Sequence, residues 1–154
     1  MIEIPRVVET EAVPIAKLYA KVPTSEIQTQ MGLLLRELGE ELRRQQIKPV
    51  GAWFAHHFRR PDEFFDFEVC FQVEKPISPN GRVEPGEWPA MRMVRTVYTG
   101  PYQGLVAGWI EFMGWIEKEA LPISEEIWER YLVNPDDESD PRKWRTELNR
   151  PLKS

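Results

Sequence analysis

The chain has 154 residues, 42% hydrophobic and 29% charged, with a formal net charge of −5 and a pI near 5.2. That length suits one ordinary domain, and the acidic balance argues against a general affinity for nucleic acid, which needs a concentrated basic surface. No apolar run approaches the roughly 20 residues of a membrane span, the acid-bearing start MIEIPRVVETEAV is unlike a secretory leader, and a single cysteine, Cys70, excludes an internal disulfide; a cytoplasmic protein is expected.

In chain order, VPIAKLYAKV (13–22) reads as a strand. A helix follows in TSEIQTQMGLLLRELGEELRRQQ, with Thr24 or Ser25 as the expected N-cap and Ile27, Met31, Leu34, Leu35, Leu38 and Leu42 as its apolar stripe. RELGEELRRQQIK (36–48) mixes signs and reads as a solvated helix face. Two strands come next, PVGAWFAHHF (49–58) and EFFDFEVCFQV (63–73), in which Cys70 reads as a small strand residue. The Pro- and Gly-rich stretch around 78–87 is a connector.

The pattern then repeats. WPAMRMVRTVYTG (88–100) reads as a strand, GPYQGLVAGWIEFMGWIEKEA as a helix opening at Pro101 with Leu105, Trp109, Phe112 and Ile116 inward, and EEIWERYLV (125–133) and KWRTELN (143–149) as two further strands. Pro14 and Pro89 are spaced as Pro76 and Pro151 are. The sequence therefore implies an α+β fold: a tandem β-α-β-β repeat (5–77 and 88–152) in one domain, with antiparallel strands, two long helices on one face and a seam where the halves meet.

Strand parity bears on function. Aligning the repeats sets Trp53, Ala55 and His57 beside Ile127, Glu129 and Tyr131 on one face, with Phe54, His56, Phe58, Trp128, Arg130 and Leu132 on the other. The second set, mostly large and apolar, suits the face beneath the helices. By elimination, the Glu129 face would look away from them. There the sheet either meets water, and Glu129 is a solvated acid, or curves into a cleft in which Trp53, Ile127 and Tyr131 surround a carboxylate partly withdrawn from water. A flat, delocalised cation would satisfy such a cleft, stacking on rings for about 0.5–2 kcal/mol per contact while pairing with the acid.

GPYQGL (100–105), the aromatic helix ending near Trp115, IWERY (127–131) and DPRKWRTELNRPL (140–152) together resemble the GyrI-like small-molecule-binding domain, found also as the effector-binding domain of AraC-type and MerR-type regulators. The resemblance covers essentially the whole chain and is more specific in the second half. It implies a central cleft for bulky, often cationic and aromatic compounds, with the family's buried acid falling on Glu129 and its motif tyrosines on Tyr102 and Tyr131. Arg130 stands where the family usually has an aliphatic residue, and His56 and His57 where aromatic or aliphatic residues are commoner. The first strand begins almost at Met1, so a stand-alone binder without direct DNA contact is expected.

Other chemistry is weaker. His56 and His57 alternate across a strand and do not share one metal ion, and no third ligand is evident. His57 would be the axial candidate if the chain bound haem as the SOUL proteins of similar tandem fold do, although no cofactor is expected. No Ser-His-Asp, P-loop or GxGxxG signature occurs. Some GyrI-like proteins hydrolyse electrophilic cyclopropane-containing toxins, and Glu129 with Tyr131 or Tyr102 would supply the base and acid for that reaction. Binding of a protein partner, as in gyrase-inhibiting relatives, is a third class. Trp109 reads as core, with the cleft floor as its alternative because it lies near a helix start, and Trp88, beside the connector, reads as a structural residue that caps an edge. Glu147 and Arg145 share the outward parity of their strand, where Glu147 would add a second negative charge or both would face solvent.

Overall fold

Strict alternation in Leu18–Val22, with Tyr19 and Lys21 out and Leu18, Ala20 and Val22 in, identifies a strand buried on one face. In the computed structural model, which describes residues 1–153, this strand is β2 (Val13–Pro23). It follows a short β1 (Arg6–Glu9) and precedes α1 (Ile27–Arg44), β3 (Phe54–His57), β4 (Phe64–Gln72), β5 (Val83–Trp88), β6 (Arg92–Thr99), α2 (Leu105–Lys118), β7 (Ile127–Val133) and β8 (Arg145–Pro151). All eight strands form one antiparallel sheet in the order β1-β6-β8-β7-β3-β4-β2-β5.

That order carries the duplication. The half β2-α1-β3-β4 and the half β6-α2-β7-β8 each place their outermost repeat strand two steps from the centre, and they meet where β3 pairs with β7. Each half-sheet is extended by a strand that precedes the other half: β1 pairs with β6, and β5 pairs with β2. The expected connector thus contains β5, an edge strand in which Pro85 is tolerated because one side of the ladder is open.

Both helices begin otherwise than expected. Thr24–Glu26 and Tyr102–Gly104 are single 3-10 turns leading into α1 and α2, and neither helix has a side-chain cap. The Thr24 hydroxyl donates instead to the Asp62 carbonyl at 2.6 Å. Pro101 lies extended ahead of its 3-10 turn rather than in a first turn of α-helix.

Leu34, Leu38 and Leu42 of α1 pack with Ala16, Leu18, Ala20, Ala55, Phe67, Val69 and Tyr131, while Phe112 and Ile116 of α2 pack with Val94, Tyr98 and Leu148. Because Leu148, Glu129 and Ala55 are successive partners across β8, β7 and β3, both helices cover the Glu129 face. This reverses the face assignment read from parity. Phe54, Trp128 and Arg130 lie on the side away from the helices, where Trp88 of β5 and Met93 of β6 cover them. The Arg130 guanidinium sits 4.7 Å from the centre of the Trp88 ring and 5.5 Å from that of Phe54. The curved sheet buries apolar residues on both faces, so a count of large side chains did not tell the two apart.

Candidate functional site

Among the described residues, α1 lies on β2 and β4 and α2 on β6, with no extended contact between the helices. The space between them, floored by the two central strands, is filled by side chains that include Trp53, Tyr102 and Tyr131. Ala55 faces Glu129 there, His57 faces Ile127, and the Tyr131 N–H donates to the Trp53 carbonyl at 3.2 Å. The pseudo-twofold axis of the duplicated unit therefore passes beside Glu129, and the tandem architecture places one acid at the seam.

Glu129 is 9% exposed. Tyr131 Oη donates to its Oε1 at 2.5 Å, and Trp109 Nε1, from α2, donates to its Oε2 at 2.7 Å. No cationic side chain pairs with it among the described residues. Burial raises the carboxyl above the usual glutamate range, and the two donors pull it back only in part. Tyr131 is held well above the ordinary phenol value by burial and then by the Glu129 charge, so it remains a donor. Tyr102 is pushed up to about 12, chiefly by burial and next by Glu129.

Aromatic rings close the site. Trp53 stacks on Tyr131 with centroids 4.1 Å apart and planes at 26°, Tyr102 meets Tyr131 edge-on at 6.3 Å, and Trp144 lies 4.9 Å from Tyr102. Of the residues singled out from sequence, Glu129, Tyr131, Tyr102, Trp53 and Trp109 form one cluster. Ile127 and His57 occupy the next register row on the same face. His57 is 5% exposed, stacked on Phe67 at 5.4 Å and edge-on to Phe65 at 5.5 Å. Burial, then His56, lower it to about 4, so it is neutral at physiological pH. His56 points to the opposite face, between Glu68 at 3.0 Å and Glu126 at 2.6 Å.

Three expectations change here. The Glu129 neighbourhood lies under the helices and is filled by side chains rather than open. Cavities of about 250 Å³ between β2 and α1, and about 260 Å³ beside Ile2–Pro5, both lie away from Glu129. Glu147 adds no charge to the site: it lies across the sheet, 3.4 Å from Arg95 and accepting from Asn149 at 3.0 Å, while Arg145 reaches Glu3. Trp88 is core, 2% exposed. Trp144 was missed, since it lies ahead of β8 as the extended residue closing the Pro141–Lys143 3-10 turn, rather than within the strand expected at 143–149.

A duplicated α+β sheet whose two helices straddle a ring-enclosed acid on the central strands defines a class of small-molecule-binding domains. The chain belongs to the GyrI-like family, matching the GyrI-like small molecule binding domain over residues 4–153. No curated protein sequence matches it significantly. Among solved structures, the C-terminal domain of EcmrR is similar with a TM-score of 0.83 at 20% identity, covering 97% of both chains. EcmrR in its complex with DNA gives 0.85 at 19% identity, and there this chain is 99% covered but spans only 58% of EcmrR. SAV2435 bound to tetraphenylphosphonium gives 0.67 at 9% identity over 99% of this chain and 95% of that one. A hydrolase from Listeria innocua gives 0.66 at 13% identity over 97% and 91%. At these identities the likeness is one of fold.

Proposed function

We propose that the chain binds bulky, hydrophobic, aromatic cations in the gap between α1 and α2, with Glu129 as the counter-charge and Trp53, Tyr102, Trp109 and Tyr131 as the stacking wall. The observation that carries this reading is a buried carboxylate whose partners are two neutral donors. A buried acid without a cation is unfavourable in its charged form, and an arriving cation removes that penalty while its apolar body keeps water out. The neighbour SAV2435 was captured with a ligand of this class, tetraphenylphosphonium. Entry requires Tyr102 and Trp109, both at the start of α2, to swing aside; both are partly exposed.

Titrating tetraphenylphosphonium and the neutral triphenylphosphine oxide against wild type and Glu129→Gln tests the reading. Wild type is expected to prefer the cation, and the variant to lose about 10- to 100-fold in cation affinity, the range for losing an interaction with a charged group, with the neutral compound unchanged. Equal affinity of wild type for both compounds removes the role of the acid.

A second reading has its own observation. Tyr131 Oη donates directly to Glu129, an arrangement able to shuttle a proton onto an opening electrophile, and the Listeria innocua neighbour is described as a hydrolase. Turnover of a strained cyclopropane substrate, lost in Tyr131→Phe, would establish it. Stoichiometric binding alone would leave the first reading.

A further inference from the structure

The helix side of the sheet contains a positive group that the reading above does not use. Arg150 is on β8, two residues beyond Leu148 and therefore on the helix side of the sheet, and the β7–β8 register sets it beside Ile127. Its Nε donates to the Glu126 carbonyl at 3.0 Å, its Nη2 to the Ser124 carbonyl at 2.8 Å, and its Nη1 to Met113 Sδ at 3.0 Å. A guanidinium has five N–H donors; two remain.

No carboxylate pairs with this guanidinium among the described residues. The neighbouring acid, Glu126, gives Arg150 its carbonyl and turns its side chain to His56 on the other face. Burial, and then the like charge of Arg60, lowers the guanidinium pKa. In a chain of net charge −5, a partly buried cation left unneutralised is unusual. A second signal comes from Ser124, whose Oγ is buried without a hydrogen-bond partner on the residue whose carbonyl Arg150 holds. Free N–H groups of a guanidinium next to an unused hydroxyl are what an oxyanion needs.

Helix α2 ties this place to Glu129. Trp109 reaches the acid, and Met113, one turn further along the same edge, reaches Arg150; four residues of helix span about 6 Å. We infer that the gap is bipolar, with Arg150 and Ser124 forming an oxyanion subsite about one helical turn from Glu129, so that its preferred ligands are aromatic zwitterions carrying a carboxylate as well as a delocalised cation. This rests on the cation-binding reading and names its ligand class more closely. Met113 moves aside as the carboxylate arrives, because a thioether is a weak acceptor for a guanidinium.

Two dyes that differ by one methyl group decide the matter: rhodamine 110, with a free carboxylate, and rhodamine 123, its methyl ester. Fluorescence anisotropy titrations are expected to show wild type binding the acid about tenfold tighter than the ester, the scale of one charge-assisted contact. Arg150→Gln should bring the two affinities within twofold of each other. Should Arg150→Gln fail to fold, Ser124→Ala, which removes only the hydroxyl, should narrow the preference. Equal affinities in wild type, or a preference that survives these substitutions, overturn the zwitterion inference while ester binding sustains the cation reading. Failure of wild type to bind either dye overturns the cation reading and this inference together.

Discussion

Trp109 on α2 and Glu129 on β7 are joined by a 2.7 Å hydrogen bond from the indole N–H to Oε2, so in the proposed binding mode the helix start that moves for entry is also bonded to the acid that entry exposes. Binding and the release of α2 are thereby coupled. Trp109→Phe keeps an aromatic ring, a smaller one, but removes the donor. Because that donor lowers the Glu129 pKa, its loss should move the acid higher still and shift the pH midpoint of cation binding upward. The variant should lose about 1–2 kcal/mol of stability at pH 8, where the carboxylate is short of one partner. Cation titrations between pH 5 and 9 check the first outcome and urea melts the second; an unmoved midpoint would show that the bond does not hold the charged form.

The raised pKa of Glu129 also has a signature in the free protein. The folded state binds this proton more tightly than the unfolded chain, so the stability it contributes is complete below the unfolded value of about 4.5 and is lost as pH rises through the folded value. Glu129→Gln cannot titrate. The melting temperature of the variant relative to wild type should therefore climb from pH 4 to pH 8. Cation binding reverses the preference, since a bound cation favours the carboxylate; calorimetry in buffers of different ionisation enthalpy should register proton release on binding. A flat difference across that pH range contradicts a raised acid.

The architecture was legible because it was written twice. Hydrophobic period, prolines at matched spacing and two amphipathic helices gave the α+β tandem unit, and Glu129, Tyr131, Tyr102, Trp53 and Trp109 were all singled out before their contacts were known. The face was not legible. Phe54, Trp128 and Arg130 looked like the residues under the helices, but they are buried by Trp88 and Met93 from strands distant in sequence. Parity assigns residues to the same side and does not say which side carries a helix. Arg150 and Ser124 escaped for a related reason: a guanidinium without a carboxylate, on a strand reading RTELNRP, and a hydroxyl without a partner, in the loop before β7, are tertiary properties.

The far face supplies a control. Trp88 packs edge-on to Phe54 at 5.0 Å and tilted to Trp128 at 4.6 Å, beneath Arg130. Trp88→Ala should cost about 3–5 kcal/mol, as for other buried large aromatics. Since the sheet separates Trp88 from the acid, dye affinity of the fraction still folded should stay within twofold of wild type. A large loss of affinity at full folding would place the ligand on the wrong side of the sheet for every argument built on Glu129.

The start of α2 is held by Tyr98, whose hydroxyl donates to the Pro101 carbonyl at 2.7 Å and whose ring lies against Gly104 and Gly108. A Cβ at Gly104 would overlap Tyr98 Oη and sit 3.2 Å from Cζ, and one at Gly108 would sit 2.8 Å from Cδ1. Gly104 therefore has to be glycine because of the tyrosine and not because of its backbone angles, which are right-handed helical (φ −92, ψ −1). Gly104→Ala should destabilise by about 1–3 kcal/mol through overpacking. It should also weaken cation binding, because Tyr102 and Trp109 flank this residue on the same 3-10 and α-helical start. Tyr98→Phe removes the nearest clashing atom. The double variant should then be less destabilised than the sum of its parts, a coupling of about 0.5–2 kcal/mol measurable in a double-mutant cycle by urea denaturation. Strict additivity would mean that the two residues do not share this contact, and that the entrance of the gap is positioned by something other than the Tyr98 ring.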